Sequence, residues 1–187
     1  NAEQAGADVL RHPQSLGKGA ALRAGWRRAS ELGFEWAMTL DGDGQHAPDD
    51  IPVFLQRAEQ SNAELLVGNR MSAADDMPWL RRFVNRWMSR RISALAGCDL
   101  PDSQCGFRLI NLAALNAVSL RTTHFEIESE VLLSFIARGF RVEFVPVRVI
   151  YQTEQSKIRP LADTVRWFRW WSQARPDALR QKSPRLC

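Results

Sequence analysis

The sequence predicts an α/β fold, a mostly parallel sheet layered with helices, and three observations carry that expectation. Between Ala7 and Arg70, apolar runs of strand length alternate with segments of helical periodicity. Two of those runs, Trp36-Ala37-Met38-Thr39-Leu40 and Leu65-Leu66-Val67-Gly68, are continuous rather than alternating, as in strands covered on both faces. Polar groups follow both runs at once, Asp41 after the first and Asn69-Arg70 after the second. Open α/β sheets present ligand-binding groups at that end of their strands. With 187 residues, 45% of them hydrophobic and 25% charged, the chain can bury one substantial core.

Taken in order, Ala7-Asp8-Val9-Leu10 is a short strand candidate, followed by a loop to Gly19. Residues 20–32 read as a helix carrying Leu22, Trp26 and Leu32, with Gly33 as its stop. After the run ending at Leu40, Pro48-Asp49-Asp50 starts a helix to about Gln60, and Leu65 to Gly68 is the next strand. Residues 77–96 form a long helix with Leu80, Val84, Trp87, Met88, Ile92 and Leu95 apolar. Arg81, Arg82, Arg86, Arg90 and Arg91 are interleaved among them. A loop, a strand near Phe107 to Ile110 and a short helix come next. Residues 126–138 form a helix closed by Gly139, and residues 142–150 a strand whose Pro146 marks an edge or bulge. The expected division is a domain over residues 1–160 and an amphipathic Trp/Arg-rich segment over 161–187, where Trp167, Phe168, Trp170 and Trp171 crowd together.

The net charge is +4, with Arg far outnumbering Lys, which calls for an anionic partner: nucleic acid, a phosphorylated substrate or anionic lipid. No nucleic-acid motif accompanies the charge, and no nucleic-acid partner is expected. Cys98, Cys105 and Cys187 match no zinc spacing and read as reduced thiols of a cytosolic setting. No apolar run is long enough to span a bilayer, and no signal peptide stands at the start.

Chemistry concentrates in Leu40-Asp41-Gly42-Asp43-Gly44-Gln45-His46. Two carboxylates one residue apart, in a Gly-flexed turn after a strand, can both reach one hard divalent cation. Mg²⁺ or Mn²⁺ would complete its shell with water and phosphate oxygens. An EF-hand fails here, because His46 and Pro52 stand where Gly and a bidentate Glu belong. A phosphatase with Asp41 as nucleophile is the alternative that the same DxD leaves open. His46 lacks ligand partners nearby and reads as a supporting residue.

Gly17-Lys18-Gly19 opens a helix and can hold a phosphate on its backbone N–H groups and Lys18. Arg70 after its strand, and Arg108 in Asp102-Ser103-Gln104-Cys105-Gly106-Phe107-Arg108, are bidentate phosphate ligands in kind. Two Arg and one Lys around a carboxylate pair make a coherent diphosphate–metal site.

In order and approximate spacing, Gly17-Lys18-Gly19, the Asp41 to His46 motif, Gly68-Asn69-Arg70, Gln104-Cys105-Gly106-Phe107-Arg108 and Ser156-Lys157-Ile158 resemble family 2 glycosyltransferases. The likeness is greatest to the dolichol-phosphate mannosyltransferase and polyprenyl-phosphate branch, and it covers roughly Ala7 to Lys157. It implies the GT-A (Rossmann-like) nucleotide-sugar fold and inverting, metal-dependent transfer from a nucleoside-diphosphate sugar to a polyprenyl-phosphate or another membrane-associated acceptor. Asp41, Asp43 and Gln45 would bind Mg²⁺ or Mn²⁺, with Asp43 also catalytic. Arg70 and Arg108 would meet donor or acceptor phosphate, with Gln104 beside them in the second motif. Glu130 would be the family's helical Glu, and Lys157 would lie near the lipid phosphate. A hydroxyl acceptor would need a base, for which Glu126, Glu128 and Glu130 are candidates.

Two departures accompany the likeness. The family's opening Pro-x-x-Asn-Glu-like and Asp-Asp-x-Ser motifs are missing, so the chain is expected to be a fragment lacking the first βαβ unit. Gln152 stands near the place of the Arg that often precedes the Ser-Lys motif. The Trp/Arg mixtures of residues 77–96 and 164–171 suit a membrane interface, or else a core-facing helix with solvated Arg. The resulting expectation is an enzyme peripheral to the inner, cytoplasmic face of the cell membrane. The second alternative is a non-catalytic membrane-binding remnant.

Overall fold

The computed structural model describes residues 2–73, 77–150 and 165–174. Its elements are α1 (Lys18–Glu31), β1 (Trp36–Thr39), α2 (Ile51–Gln60), β2 (Leu65–Asn69), α3 (Trp79–Ala96), β3 (Arg108–Asn111), α4 (Leu112–Asn116), α5 (Ile127–Ala137) and β4 (Val142–Pro146). Residues 165–174 form a further helix, α6. Gly33 and Gly139 stand at φ 81° and 79°, just beyond α1 and α5, where the sequence puts helix stops.

The four strands form one sheet in the order β1-β3-β2-β4. β2 pairs in parallel with β4, while β3 pairs antiparallel with both β1 and β2. Three strands therefore run one way and β3 runs the other, which refines the mostly parallel expectation to a mixed α/β sheet. β2 is buried along Leu65 to Gly68 because it has a strand on each side, which accounts for its unbroken apolar run. β4 lies at an edge, where Pro146 costs no ladder bond on the outer side.

Ala7 to Leu10 is not a strand, since none of the described residues pairs with it. An apolar run becomes a strand only when its N–H and C=O groups meet a ladder.

The core gathers Phe54, Leu65, Leu66, Val67, Ile92, Phe107, Ile110, Leu132 and Phe135 between sheet and helices. α3 divides along its length. Ile92, Leu95 and Ala96 are buried, whereas Trp79, Leu80, Phe83 and Val84 are exposed. α6 is no detached appendage over these residues: Trp167 is buried against Trp87, with ring centroids 5.8 Å apart. No helix among the described residues is long and apolar enough to cross a membrane.

Cys98 is disulfide-bonded, which corrects the expectation of reduced thiols at that position. Spacing speaks to metal ligation, not to which thiols the fold brings together. Cys105 is free and fully buried, and burial pushes its thiol up to about 11. An iodoacetamide reaction at pH 8 is therefore expected to spare Cys105 in the folded chain and to label it after denaturation. Rapid labelling of the native protein would contradict this burial.

Candidate active site

The site begins at the start of α1. Gly17 has φ 91°, and a side chain there would strike the carbonyl oxygen of Thr123. A Cβ on Gly19 would stand 2.9 Å from the carbonyl oxygen of Thr122. The helix start thus lies flat on the backbone of residues 122–124, and Ala20 N–H donates to Thr123 C=O at 3.2 Å. Both glycines are required by this packing.

The same packing aims Lys18 inward. Its Nζ lies 2.5 Å from Asp41 Oδ1 and 2.5 Å from Glu128 Oε1, and 5.6 Å from the Phe125 ring centre. Burial alone would depress the Lys18 ammonium, but Glu128 and Asp41 outweigh it and hold its pKa above the ordinary lysine value. Burial likewise opposes ionisation of Asp41, but Lys18, with smaller help from His46 and Arg70, holds that carboxyl below its usual range. Gly106 closes over this pair. A Cβ there would be 2.6 Å from Asp41 Oδ2 and 2.9 Å from Lys18 Nζ, so a larger residue would push the paired side chains aside. Thr39, the last residue of β1, anchors the loop by donating its hydroxyl to Gly106 C=O at 2.8 Å.

The Asp41 turn is braced from below. Asp41 N–H donates to His46 Nδ1 at 3.1 Å, and the imidazole stacks on Phe107, which stacks in turn on Phe54. Burial lowers the His46 pKa, consistent with a neutral ring accepting at Nδ1. Asp50 takes two bonds from Arg148, and Ile150 N–H donates to Gln45 C=O at 3.0 Å. The chain leaving β4 is thereby fastened to the turn.

Asp43 is exposed, with its Oδ1 accepting from Gln45 N–H at 3.1 Å. Gln45 Oε1 accepts from Arg81 Nη1 at 3.1 Å. Arg81 is a site neighbour that its helical spacing had placed only on a polar face. Among the described residues no three His, Cys, Asp or Glu side chains gather into a closed metal site. The donors on the turn are oxygens, two carboxylates and one amide. That set fits Mg²⁺ or Mn²⁺, which take one or two carboxylates and draw further ligands from water and substrate phosphate.

Arg70 lies close enough to act on Asp41 and His46, and it is held bidentately by the fully buried Asp102, Nε to Oδ2 at 2.8 Å and Nη2 to Oδ1 at 2.9 Å. Gln104 donates to Ser103 Oγ at 2.8 Å and to Ser129 Oγ at 2.9 Å.

Two of the expected site residues are held by protein partners. Arg108 is buried, not turned to a phosphate. It donates to the carbonyls of Cys105, Glu128 and Ser103 at 2.8, 2.7 and 3.1 Å. Its guanidinium is a brace between loop and helix, because three fixed carbonyls satisfy its fork of donors. Glu130 is equally committed, accepting from the N–H groups of Arg121 and Thr122 and from the Thr122 hydroxyl at 2.6 Å. Glu128, two residues earlier, is the helical carboxylate that faces Lys18. Lys157 lies outside the described residues.

Comparison with known proteins bears on the family and the fold. The chain is 36% identical over 156 residues to a UDP-N-acetylglucosamine–dolichyl-phosphate N-acetylglucosaminyltransferase of Methanococcus voltae, covering 81% of this chain and 62% of that relative. It is 25% identical over 191 residues to the undecaprenyl-phosphate mannosyltransferase of Micrococcus luteus, covering 97% of this chain and 78% of the relative. Among solved structures, glucosyl-3-phosphoglycerate synthase from Mycobacterium tuberculosis in complex with UDP superposes with a TM-score of 0.65 at 17% identity. That match covers 95% of this chain and 62% of the synthase, and it shows the GT-A fold. The chain thus spans less than two thirds of the Methanococcus relative's length. Residues 2–118 match the model of Glycosyl transferase family 2, and the chain belongs to that family.

Proposed function

We propose that this chain supplies the metal- and acceptor-side part of a glycosyltransferase that moves a sugar from a nucleoside-diphosphate donor to a polyprenyl phosphate, with inversion. The observation that carries the reading is the Lys18–Asp41–Glu128 network under Gly106, at the C-terminal end of β1. Its family membership supports sugar transfer over phosphoryl transfer on Asp41. The names of the two relatives support a lipid-phosphate acceptor. Metal use draws support from the oxygen donors of the turn and from a complex of the related synthase with Mn²⁺, UDP-glucose and phosphoglyceric acid, at TM-score 0.58.

A divalent cation on Asp41 and Asp43, with Gln45 beside them, would neutralise charge building on the departing diphosphate. Lys18 keeps Asp41 ionised and fixes its direction, and Arg70, oriented by Asp102, adds positive charge beside it. A phosphate acceptor brings its own nucleophilic oxygen, so the commitment of Glu130 to the loop costs the reaction no base. One displacement inverts the sugar's configuration.

The outer face of α3 suits work at a membrane. Trp79, Arg82, Phe83, Arg86, Trp87 and Arg90 line an open groove of about 390 Å³. Trp79 is 75% exposed and Phe83 63%. Aromatic rings beside arginines match the boundary between acyl chains and anionic headgroups. We propose on this support that the protein works peripherally at a membrane, with the cytoplasmic face as the expected side.

Titration calorimetry with UDP, GDP and their hexose conjugates, with and without Mn²⁺, tests the site. Binding of one nucleotide that requires Mn²⁺ is expected and would name the donor class. Binding indifferent to Mn²⁺ would remove the metal–diphosphate reading, as would no binding of any of them by a chain that also carries the family's opening βαβ unit.

A further inference from the structure

A run of hydrogen bonds connects α6 with the loop that covers Asp41, and the proposed reaction leaves it unexplained. Trp167 Nε1 donates to Ser129 Oγ at 3.1 Å. Gln104 Nε2 donates to the same oxygen at 2.9 Å, and to Ser103 Oγ at 2.8 Å. Ser103 is fastened in turn to α3, its N–H donating to Ser89 Oγ at 2.9 Å. All of these bonds are buried or part-buried, and Ser103 and Ser129 are fully enclosed. Two residues beyond Gln104, Gly106 faces Asp41 Oδ2 and Lys18 Nζ.

We propose that Trp167 is a positioning residue which, through Ser129 and Gln104, sets the loop of residues 102–106 against Asp41 and Lys18. The docking of α6 on α3 and α5 thereby becomes part of the active site's support. The proposal rests on the functional reading above for what the loop serves, but not for the coupling itself.

Three features support it. A buried indole N–H needs an acceptor, which Ser129 Oγ supplies, and here the ring is held by packing on Trp87 at 5.8 Å and by Trp171 at 6.3 Å. Arg91 adds a second tie between the helices, its guanidinium 5.1 Å over Trp87 and 5.8 Å over Trp171. The shared acceptor matters most. Ser129 Oγ receives N–H groups from both Trp167 and Gln104, so a shift of α6 alters the geometry available to Gln104. The loop itself has little freedom to absorb such a shift, because Asp102 is locked to Arg70 and Gly106 to Thr39.

The test uses Trp167→Phe, which keeps an aromatic ring and removes only the N–H, together with Ser129→Ala and the double variant. Amide hydrogen exchange read by mass spectrometry on peptides spanning residues 102–106 is the first readout. Each single variant is expected to speed exchange there several-fold, and the double variant no more than Ser129→Ala alone, because that substitution already removes the acceptor that both donors share. Exchange that rises only within residues 165–174, or effects of the two substitutions that simply add, would overturn the proposal. Should Trp167→Phe loosen the whole chain, Ser129→Ala, which leaves the indole packing in place, decides on the same criterion.

The second readout is Mn²⁺-dependent nucleotide affinity, expected to weaken several-fold in the same variants at nearly unchanged Tm. A wild-type protein that also carries the family's opening βαβ unit and lacks such affinity would count against the functional reading, while the exchange data would still decide the coupling.

Discussion

Replacing Arg108 by alanine is expected to destabilise the chain by roughly 3–5 kcal/mol, as three buried carbonyls lose their donor at once. The carbonyls belong to Cys105, Glu128 and Ser103, so the substitution would release the loop from α5 as well as from β3. Lysine should rescue little, since one ammonium cannot reproduce the planar fork that spans three acceptors. Urea denaturation of the purified chain gives the measurement. A variant with an unchanged midpoint that lost only nucleotide affinity would restore Arg108 to the phosphate-binding role that the family likeness implies.

The largest functional effect is expected for Asp41→Asn, a change that keeps shape and removes charge. Mn²⁺-dependent nucleotide binding should weaken by about 100-fold or more, above what loss of a metal's outer-shell support usually costs. Stability should fall by only about 1 kcal/mol, because Lys18 keeps its bond to Glu128. The pH dependence follows from the direction of two shifts. The Asp41 carboxyl is held below its ordinary range, so its contribution to stability is present above about pH 4 and is lost as pH falls further. The Lys18 ammonium is held above its ordinary value, so its contribution is present below that value and is lost only in strong alkali. Wild type should therefore exceed Asp41→Asn by a constant margin through neutral pH, with the margin closing in acid. A calorimetric series from pH 3 to pH 8 would show it, and a margin that varies around neutrality would refute the pairing.

Much of the fold was legible from local pattern. Trp36 to Thr39 and Leu65 to Gly68 form strands where their apolar runs stand, and α1, α2, α3 and α5 lie within a few residues of their periodic segments. These features are local, because side-chain period and turn residues act over a few positions. The reversed direction of β3 was not legible, since an apolar strand of four residues carries no mark of which way its neighbours run. Ala7 to Leu10 misled for the same reason: its composition suits a strand, but pairing is decided by other parts of the chain.

The candidate site divides along the same line. Sequence by itself determined which chemistry the chain carries: a carboxylate turn after a buried strand, a lysine between glycines, arginines beyond strand ends and the ordered motifs of one family. Only the tertiary structure decided which of these groups meet. It turned Lys18 onto Asp41 and Glu128, bound Glu130 to the backbone of Thr122, buried Arg108 among carbonyls and joined Trp167 to Gln104 through Ser129. The physical reason is that residue type sets what a side chain can bind. Which partner it satisfies in a buried interior depends on donors and acceptors that lie up to 110 positions away in the chain, as from Lys18 to Glu128.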